Sequence, residues 1–406
     1  MARQAAVLHE GHELQLLEGS VELFPALIAA MDQAQLEVRL ETYIFDFTGS
    51  GAEVAQALVR AAERGVPTQL IVDGLGTDPF PAEWRARFEA AGVQWRVYAP
   101  VSALGLALPG RWRRLHRKLC VVDGRTAFCG GINILDDFHD PNHGALPAPR
   151  FDFAVRVAGP LVADVRHSMV QLWLRMQAVK SLRGHRLSDA VEALRAAAHE
   201  PAGRATAAAA KPARADARAA LLLRDNLRFR TSIERAYRKA IGLARREILI
   251  ANAYFVPGRR MRRALEQAAR RGVRVVLLLQ GKYEYFMQYY SSRPVYGALL
   301  RAGVEIHEYA PSFLHAKVAV IDGHWATVGS SNLDPLSMLL AREANVVVDD
   351  TAFAAELRAR LLRAIAHGGQ PLDAGDYEHR SWRERCKERV ALIVMRAALF
   401  LHGKEY

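Results

Sequence analysis

Two stretches of this chain, about 200 residues apart, carry the same pattern of residues. Each has a histidine, a lysine two positions later, an aspartate five positions after the lysine, and then a glycine. The pattern occupies residues 116–123 in the first copy and residues 315–322 in the second. Solenoid repeats are only roughly 20–50 residues long. The spacing therefore predicts a duplication, in which the chain folds as two similar halves.

The segments that precede the two motifs also match each other. An apolar strand, a helix that ends at Arg-Gly-Val and a further strand come in the same order in both halves. The glycines of these tripeptides, Gly65 and Gly272, are typical helix stop signals. The predicted strand, helix and strand cover residues 36–45, 53–64 and 69–72, and then residues 247–256, 260–271 and 274–279. Alternating strands and helices predict an α/β fold, here present twice.

Composition divides the chain into four parts. Residues 1–177 and 220–370 hold the two similar halves, and residues 178–219 read as an alanine- and arginine-rich linker or exposed helix. Residues 371–406 form a C-terminal tail. If residues 390–401 are helical, their apolar side chains share one face. That pattern suits a helix lying on a membrane surface, and equally a helix packed on its own domain.

The net charge and the cysteine content indicate the kind of partner and the cellular compartment. The formal net charge of +12 favours an anionic partner, either lipid headgroups or nucleic acid. The three cysteines show no disulfide or zinc spacing, which indicates a reduced cytosolic environment. The first residues lack a signal-peptide pattern, and no apolar run reaches about 18 to 20 residues, so we expect no transmembrane helix.

Each His-x-Lys pair falls on a predicted strand, where alternate residues face the same way. We therefore expect each histidine to share a face with its lysine. The following Asp-Gly is typical of a hairpin turn. Each hairpin leads to a small-residue segment that ends in an asparagine, Asn133 or Asn332, where backbone can approach a ligand. One such motif alone is a weak signal, but two matched copies indicate a functional site.

The paired residues fit displacement at a phosphodiester. This reaction needs a nucleophile, an acid for the leaving group and positive charge around the phosphoryl oxygens. We interpret His116 as the nucleophile and His315 as the general acid and then base, although the duplication makes the two nearly interchangeable. Lys118 and Lys317 would stabilise the phosphoryl charge. The exchange of one phosphodiester for another requires no metal and no nucleotide or other cofactor.

Acidic residues are expected to orient the two imidazoles. The candidates are Asp152, after the first motif, and Glu343, after the second. The motif aspartates Asp123 and Asp322 are assigned to the catalytic set, with a structural role in the hairpin turns as the alternative.

The paired motifs resemble those of the phospholipase D superfamily, from residue 15 to about residue 350. Residues 40–45, 252–258 and 324–337 are similar to bacterial cardiolipin synthases, above all the B type, which lacks amino-terminal transmembrane helices. The resemblance implies two domains of mixed sheet flanked by helices, closing over one active site at their interface. The two asparagines, with Asp152 and Glu343, would support the substrate phosphate.

The resemblance also implies a reaction and a place in the cell. The phosphatidyl group of one phosphatidylglycerol would pass through a phosphohistidine to a second, giving cardiolipin and glycerol. The partners would be phosphatidylglycerol and an anionic membrane surface, with peripheral attachment to the cytoplasmic face of the bacterial inner membrane.

Three other functions fit some of the same sequence features. A phospholipase D that takes water as acceptor would need the same residues. A nuclease is compatible with the positive charge, but no recognisable nucleic-acid module is present, so we expect no nucleic acid partner. A non-catalytic membrane-binding protein is disfavoured because both motifs are complete. Two aromatic segments, residues 104–114 and 283–296, suit either lipid contact or core packing.

Overall fold

The computed structural model describes residues 7–77, 79–100, 113–141, 143–184, 186–199, 216–225, 229–282, 286–335, 341–378 and 381–400. The helices are α1 (Gly19–Asp32), α2 (Gly49–Glu63), α3 (Ala82–Ala91), α4 (Leu161–Arg183), α5 (Leu187–His199), α6 (Ser232–Leu243), α7 (Arg259–Arg270), α8 (Phe286–Arg301), α9 (Thr351–Gly368), α10 (Ala374–Glu378) and α11 (Trp382–Phe400). None of the helices within these residues is long and apolar enough to cross a membrane.

The strands of the first half are β1 (His9–Glu18), β2 (Val38–Thr42), β3 (Thr68–Asp73), β4 (Gln94–Tyr98), β5 (Arg114–Leu115), β6 (Lys118–Val122), β7 (Thr126–Gly130), β8 (His139–Asp140), β9 (Gly144–Ala145) and β10 (Phe153–Ala158). Those of the second half are β11 (Ala217–Arg224), β12 (Glu247–Asn252), β13 (Arg274–Gln280), β14 (Glu305–Tyr309), β15 (Lys317–Ile321), β16 (Trp325–Gly329), β17 (Ala341–Asp349) and β18 (Gly369–Pro371).

The strand order is the same in both halves, read outward from the centre. The antiparallel pair β1 and β11 joins the halves. From β1 the order is β10, β7, β6, β2, β3 and β4, and from β11 it is β17, β16, β15, β12, β13 and β14. Strands β2, β3 and β4 are parallel, as are β12, β13 and β14, because helices connect them. Apart from the short parallel pair β5–β17, the other pairs are antiparallel, including the hairpins β6–β7 and β15–β16 and the pairing of the edge strand β18 with β14. The predicted duplicated α/β fold is confirmed.

The motif strands begin later than expected. Strand β6 starts at Lys118 and β15 at Lys317, so each motif histidine lies just before its strand and not on it. The segment before His116 is not part of β6 because it forms a separate strand, β5, which pairs in parallel with β17 of the opposite half. The matching bridge in the other direction joins Phe151 to Leu314.

The protein has three apolar layers, and one of them joins the two halves. Alternate residues of β6 point to opposite sides. Leu119 and Val121 lie in a core shared by both halves, whereas Cys120 and Val122 pack beneath helices of the first half. A third core lies under α6, α7 and α8 in the second half. Because these strands are buried on both faces, their sequences read as nearly continuous apolar runs.

The segment interpreted as a linker is largely ordered where the structure describes it. Residues 178–183 continue α4, and α5 packs against it. Strand β11 begins at Ala217, within the segment, and forms the central junction of the sheet. Residues 200–215 lie outside the described residues.

Candidate active site

Backbone hydrogen bonds fix both motif histidines beside strands of the opposite half. The N–H of His116 donates to the carbonyl of Arg342 at 3.0 Å, just before Glu343 on β17. The N–H of His315 donates to the carbonyl of Phe151 at 2.8 Å, in the segment that leads into β10. The equivalent contacts run in both directions, so the two motifs meet at the interface between the halves.

Each imidazole is paired with a carboxylate from the other half of the chain. Nδ1 of His116 lies 3.0 Å from Oε1 of Glu343, and Nδ1 of His315 lies 2.6 Å from Oδ2 of Asp152. The carboxylates are buried, whereas the imidazoles remain 15% and 14% exposed. Both contacts engage Nδ1, so Nε2 is the ring atom left to meet a substrate in each histidine.

The motif lysines lie against the backbone of the histidines. Nζ of Lys118 donates to the carbonyl oxygen of His116 at 2.7 Å, and Nζ of Lys317 donates to that of His315. Nζ of Lys317 also lies 3.7 Å from the Asp152 carboxylate. Burial, together with the nearby charge of Lys317, lowers the pKa of Lys118 to about 7. The two ammonium groups therefore repel each other at this buried site, and the charge of Lys317 disfavours the charged form of Lys118.

Burial also shifts the pKa values of the paired acids and bases. It lowers the pKa of His116 and, together with Lys317, lowers the pKa of His315 well below its usual range. It raises the pKa of Asp152 to about 7. Asp152 and His315 share a hydrogen bond, so the opposite shifts mean that this pair holds one proton between them near neutral pH.

The small-residue segments position the carboxylates, each in its own half. A side chain at Gly131 would overlap the carboxylate of Asp152, so only glycine fits there. The Asp152 Oδ1 atom also accepts the N–H of Phe153 at 2.8 Å. At the matching position of the second half, Oγ of Ser330 donates to Oε2 of Glu343 at 2.5 Å. Sequence reasoning missed this role of Ser330, although its place in the repeat was a usable signal.

Asp123 and Asp322 do not reach the histidines, which corrects their assignment to the catalytic set. They lie at the turn after β6 and β15, about 16 Å along the strand from the lysines. Their carboxylates accept backbone N–H groups at the start of β2 and β12, at 2.7–3.1 Å: Gln35, Leu36 and Glu37 in the first half, and Arg245, Arg246 and Glu247 in the second. The turn role, given as the alternative, is the one that these contacts support.

Asn133 lines a cavity together with His315, and Tyr43, which was not predicted, lies beside His116. Oδ1 of Asn133 accepts the N–H of Ile44 at 3.1 Å, and Asn332 is buried directly after β16. The Tyr43 ring lies 5.0 Å from the His116 ring, centroid to centroid. The phosphate-binding role of both asparagines stays a prediction.

The structure describes only part of the two segments that suited either lipid contact or core packing. Residues 101–112 and 283–285 lie outside the described residues. Tyr296, at the end of the second segment, is buried in the core of the second half and packs near Tyr377. For Tyr296 the core-packing alternative is therefore correct.

Comparison with known proteins places the chain in a family. The family described as "Cardiolipin synthase, PLD-like domain" matches residues 27–145 and 237–365. Cardiolipin synthase B of Escherichia coli K12 is 38% identical over 95% of this chain and 88% of its own length. Cardiolipin synthase of Geobacillus thermodenitrificans is 29% identical over 97% of this chain and 72% of its own length.

Solved structures agree on the fold. Phosphatidylserine synthase of Haemophilus influenzae Rd KW20 superposes with a TM-score of 0.68 at 11% identity, over 98% of this chain and 96% of that one. The family match and the similarity to cardiolipin synthase B identify an enzyme of the phosphatidyltransferase kind. The chain belongs to the cardiolipin synthase family with phospholipase D-like domains.

Proposed function

We propose that this protein is a cardiolipin synthase that transfers a phosphatidyl group from one phosphatidylglycerol to another. The observation that carries the proposal is the crossed pairing of His116 with Glu343 and of His315 with Asp152. That pairing gives one interface two imidazoles whose Nε2 atoms are free for chemistry. A transfer through a covalent intermediate needs this pair of roles.

In the first step, Nε2 of His116 attacks phosphorus and forms a P–N bond. The bond from phosphorus to the oxygen of the headgroup glycerol breaks, and Nε2 of His315 gives that oxygen a proton. In the second step, Nε2 of His315 takes the proton from a hydroxyl of the second phosphatidylglycerol. Its oxygen then bonds to phosphorus, and the P–N bond to His116 breaks. The products are glycerol and cardiolipin, and both histidines return to their starting states.

The assignment of the acid to His315 follows from its partner. The Asp152 and His315 pair holds a proton near neutral pH because burial raises the pKa of Asp152 to about 7. Such a pair can deliver a proton to a leaving alcohol and recover it from an incoming one. Lys118 and Lys317, with Asn133 and Asn332, would bind the phosphoryl oxygens. The reaction needs no metal or organic cofactor, because one phosphodiester replaces another.

Helix α11 is proposed as the membrane contact. It packs on α8, where Nζ of Lys387 lies 5.7 Å from the Tyr290 ring centroid. Helix α8 follows Gln280, whose side chain accepts the N–H of Leu314 at 3.1 Å, next to His315.

The outer face of α11 suits a lipid surface. It exposes Ile393, which is 63% exposed, together with Trp382, Val390 and Val394. Lys387 and Arg389 lie on the same helix, and basic side chains attract an anionic leaflet. We place the protein peripherally on the cytoplasmic face of the bacterial inner membrane.

A product assay tests the proposed function. Purified protein is given phosphatidylglycerol vesicles without CDP-diacylglycerol, and the lipids are analysed by mass spectrometry beside a His116→Ala control. Cardiolipin and glycerol that disappear in the control are expected. Phosphatidic acid as the main product would instead identify a phospholipase D that uses water. Unchanged lipid would overturn the proposal.

A further inference from the structure

The two halves differ next to the active site. Asp152 follows Asn133 by 19 residues, whereas Glu343 follows Asn332 by 11. The longer connection of the first half contains the small hairpin of β8 and β9. The two sides of the duplicated site therefore differ. The additional residues of the longer connection, called the insertion below, lie on the side of His315.

A cavity of about 70 Å³ lies between this insertion and His315. A site for one buried water needs only about 10–15 Å³, so the cavity has room for several water-sized groups. A three-carbon polyol has six heavy atoms and matches that size. The polar part of its lining consists of Asn133, Asp137, Asp140, Arg150, Asp152 and His315.

The cavity combines apolar walls with buried polar groups. Arg150 is held in place by an ion pair of 2.7 Å to Oδ2 of Asp140, which also accepts the backbone N–H of His143 through Oδ1 at 3.1 Å. Oδ2 of Asp137 accepts the backbone N–H of Ser20. The amide of Asn133 is oriented by its bond to Ile44. These groups are fixed by contacts within the protein, so they are preorganised to bind a ligand.

We propose that this cavity is a subsite for the glycerol headgroup, in which Asp137, Asn133 and Arg150 recognise the hydroxyls that do not react. The inference rests on the proposed function and adds to it the determinant of alcohol specificity. The alcohol oxygen that leaves, and the hydroxyl that later enters, both meet Nε2 of His315. The group attached to that oxygen therefore lies on the same side in both steps, and in both steps it is glycerol.

The chemistry of the cavity favours a neutral polyol over a cationic amine. Burial raises the pKa of Asp137, because a buried site disfavours the charged carboxylate. Arg150 is a cation in the same wall and would repel an ammonium group. A carboxyl group, an amide and a guanidinium supply both acceptors and donors, as vicinal hydroxyls require.

A competition between soluble alcohols tests the subsite. Vesicles of phosphatidylglycerol are incubated with equal concentrations of ¹³C-labelled glycerol and propan-1-ol. Mass spectrometry then gives the ratio of labelled phosphatidylglycerol to phosphatidylpropanol. This ratio does not depend on the amount of active enzyme. We expect the wild type to favour glycerol by roughly tenfold or more, the scale of one or two recognised hydroxyls.

Substitutions at Asp137 and Asp136 test which side chain recognises the hydroxyls of glycerol. Asp137→Asn keeps an acceptor for Ser20 and should lower the ratio severalfold. Asp136→Asn is the matched control, because the Asp136 side chain instead accepts from Phe138 and Ser50, away from the cavity, and should leave the ratio unchanged. If Asp137→Asn gives no product, Arg150→Lys takes its place, and its ratio should fall.

The outcomes separate the subsite from the proposed function. Transfer by the wild type without preference for glycerol would overturn the subsite and leave the transferase in place. A preference that Asp137→Asn retains as fully as Asp136→Asn would overturn it too. If the wild type forms neither labelled lipid nor cardiolipin, the proposed function itself fails, and the subsite with it.

Discussion

Nδ1 of His315 lies 2.6 Å from Oδ2 of Asp152, and these two residues come from opposite halves of the chain. Because the pair His116 and Glu343 crosses in the other direction, neither half holds a complete acid–base pair alone. The geometry explains why a duplicated chain has one reaction centre and not two.

Asp152→Asn should reduce turnover by roughly 10³ to 10⁴-fold, by analogy with the loss of an orienting aspartate beside a catalytic histidine. The amide no longer shares a proton with His315 and can hold the wrong tautomer. Steady-state kcat on phosphatidylglycerol vesicles measures the effect, with circular dichroism as the check on folding. A kcat within tenfold of wild type would remove Asp152 from the proton path.

The roles of the two histidines should be distinguishable with a substrate whose leaving group needs no acid. With a phosphatidyl ester of p-nitrophenol, His315→Ala should form the phosphohistidine and accumulate it, because the base for the second step is missing. His116→Ala should form none. Intact-protein mass spectrometry after mild alkaline quench detects the adduct. An adduct in His116→Ala and none in His315→Ala would reverse the two roles.

The kcat/KM of the free enzyme should fall as pH rises through about 7. Lys118 loses its charge there, because burial lowers its pKa to about 7, and the Asp152 and His315 pair loses its proton in the same range. Both changes remove a needed proton, so they act in the same direction. Lys118→Arg stays charged, and its decline should follow a single ionisation. A wild-type profile flat from pH 6 to 9 would contradict both assignments.

Asp123→Ala should lower stability and spare the chemistry. The carboxylate accepts three backbone N–H groups at the start of β2, and their loss should cost about 1–3 kcal/mol. Urea denaturation measures the change, while kcat below the unfolding transition should stay within a fewfold of wild type. Asp322→Ala is the matched variant in the second half. A large fall in kcat for folded protein would return these residues to the catalytic set.

Charges on the outer face of α11 should weaken membrane binding. The double variant Ile393→Glu and Val394→Glu should reduce co-sedimentation with phosphatidylglycerol vesicles at least severalfold, because it adds repulsion and removes apolar contact. Val191→Glu with Leu194→Glu, at similarly exposed apolar positions of α5, is the control and should bind as the wild type does. Equal binding by both double variants would place the membrane contact elsewhere.

Much of the architecture was readable from local pattern. The apolar strands around residues 247–252 and 274–280, and the glycine stop signals Gly65 and Gly272, depend on neighbours along the chain. The repeat of these signals predicted the duplication, and the motif residue types predicted phosphoryl chemistry. Lys118 and Lys317 are both buried, and their catalytic role stays a prediction.

What the sequence alone determined is therefore the set of elements, their duplication and the residue types of the site. Only the tertiary structure decided which carboxylate serves which histidine, since that depends on the pairing of β5 with β17 and of Phe151 with Leu314 across the two halves. It also moved Asp123 and Asp322 out of the site and placed Arg150 beside it. Contacts across some 160 to 230 residues of chain leave no local pattern, because they arise from packing between surfaces and not from spacing within a segment.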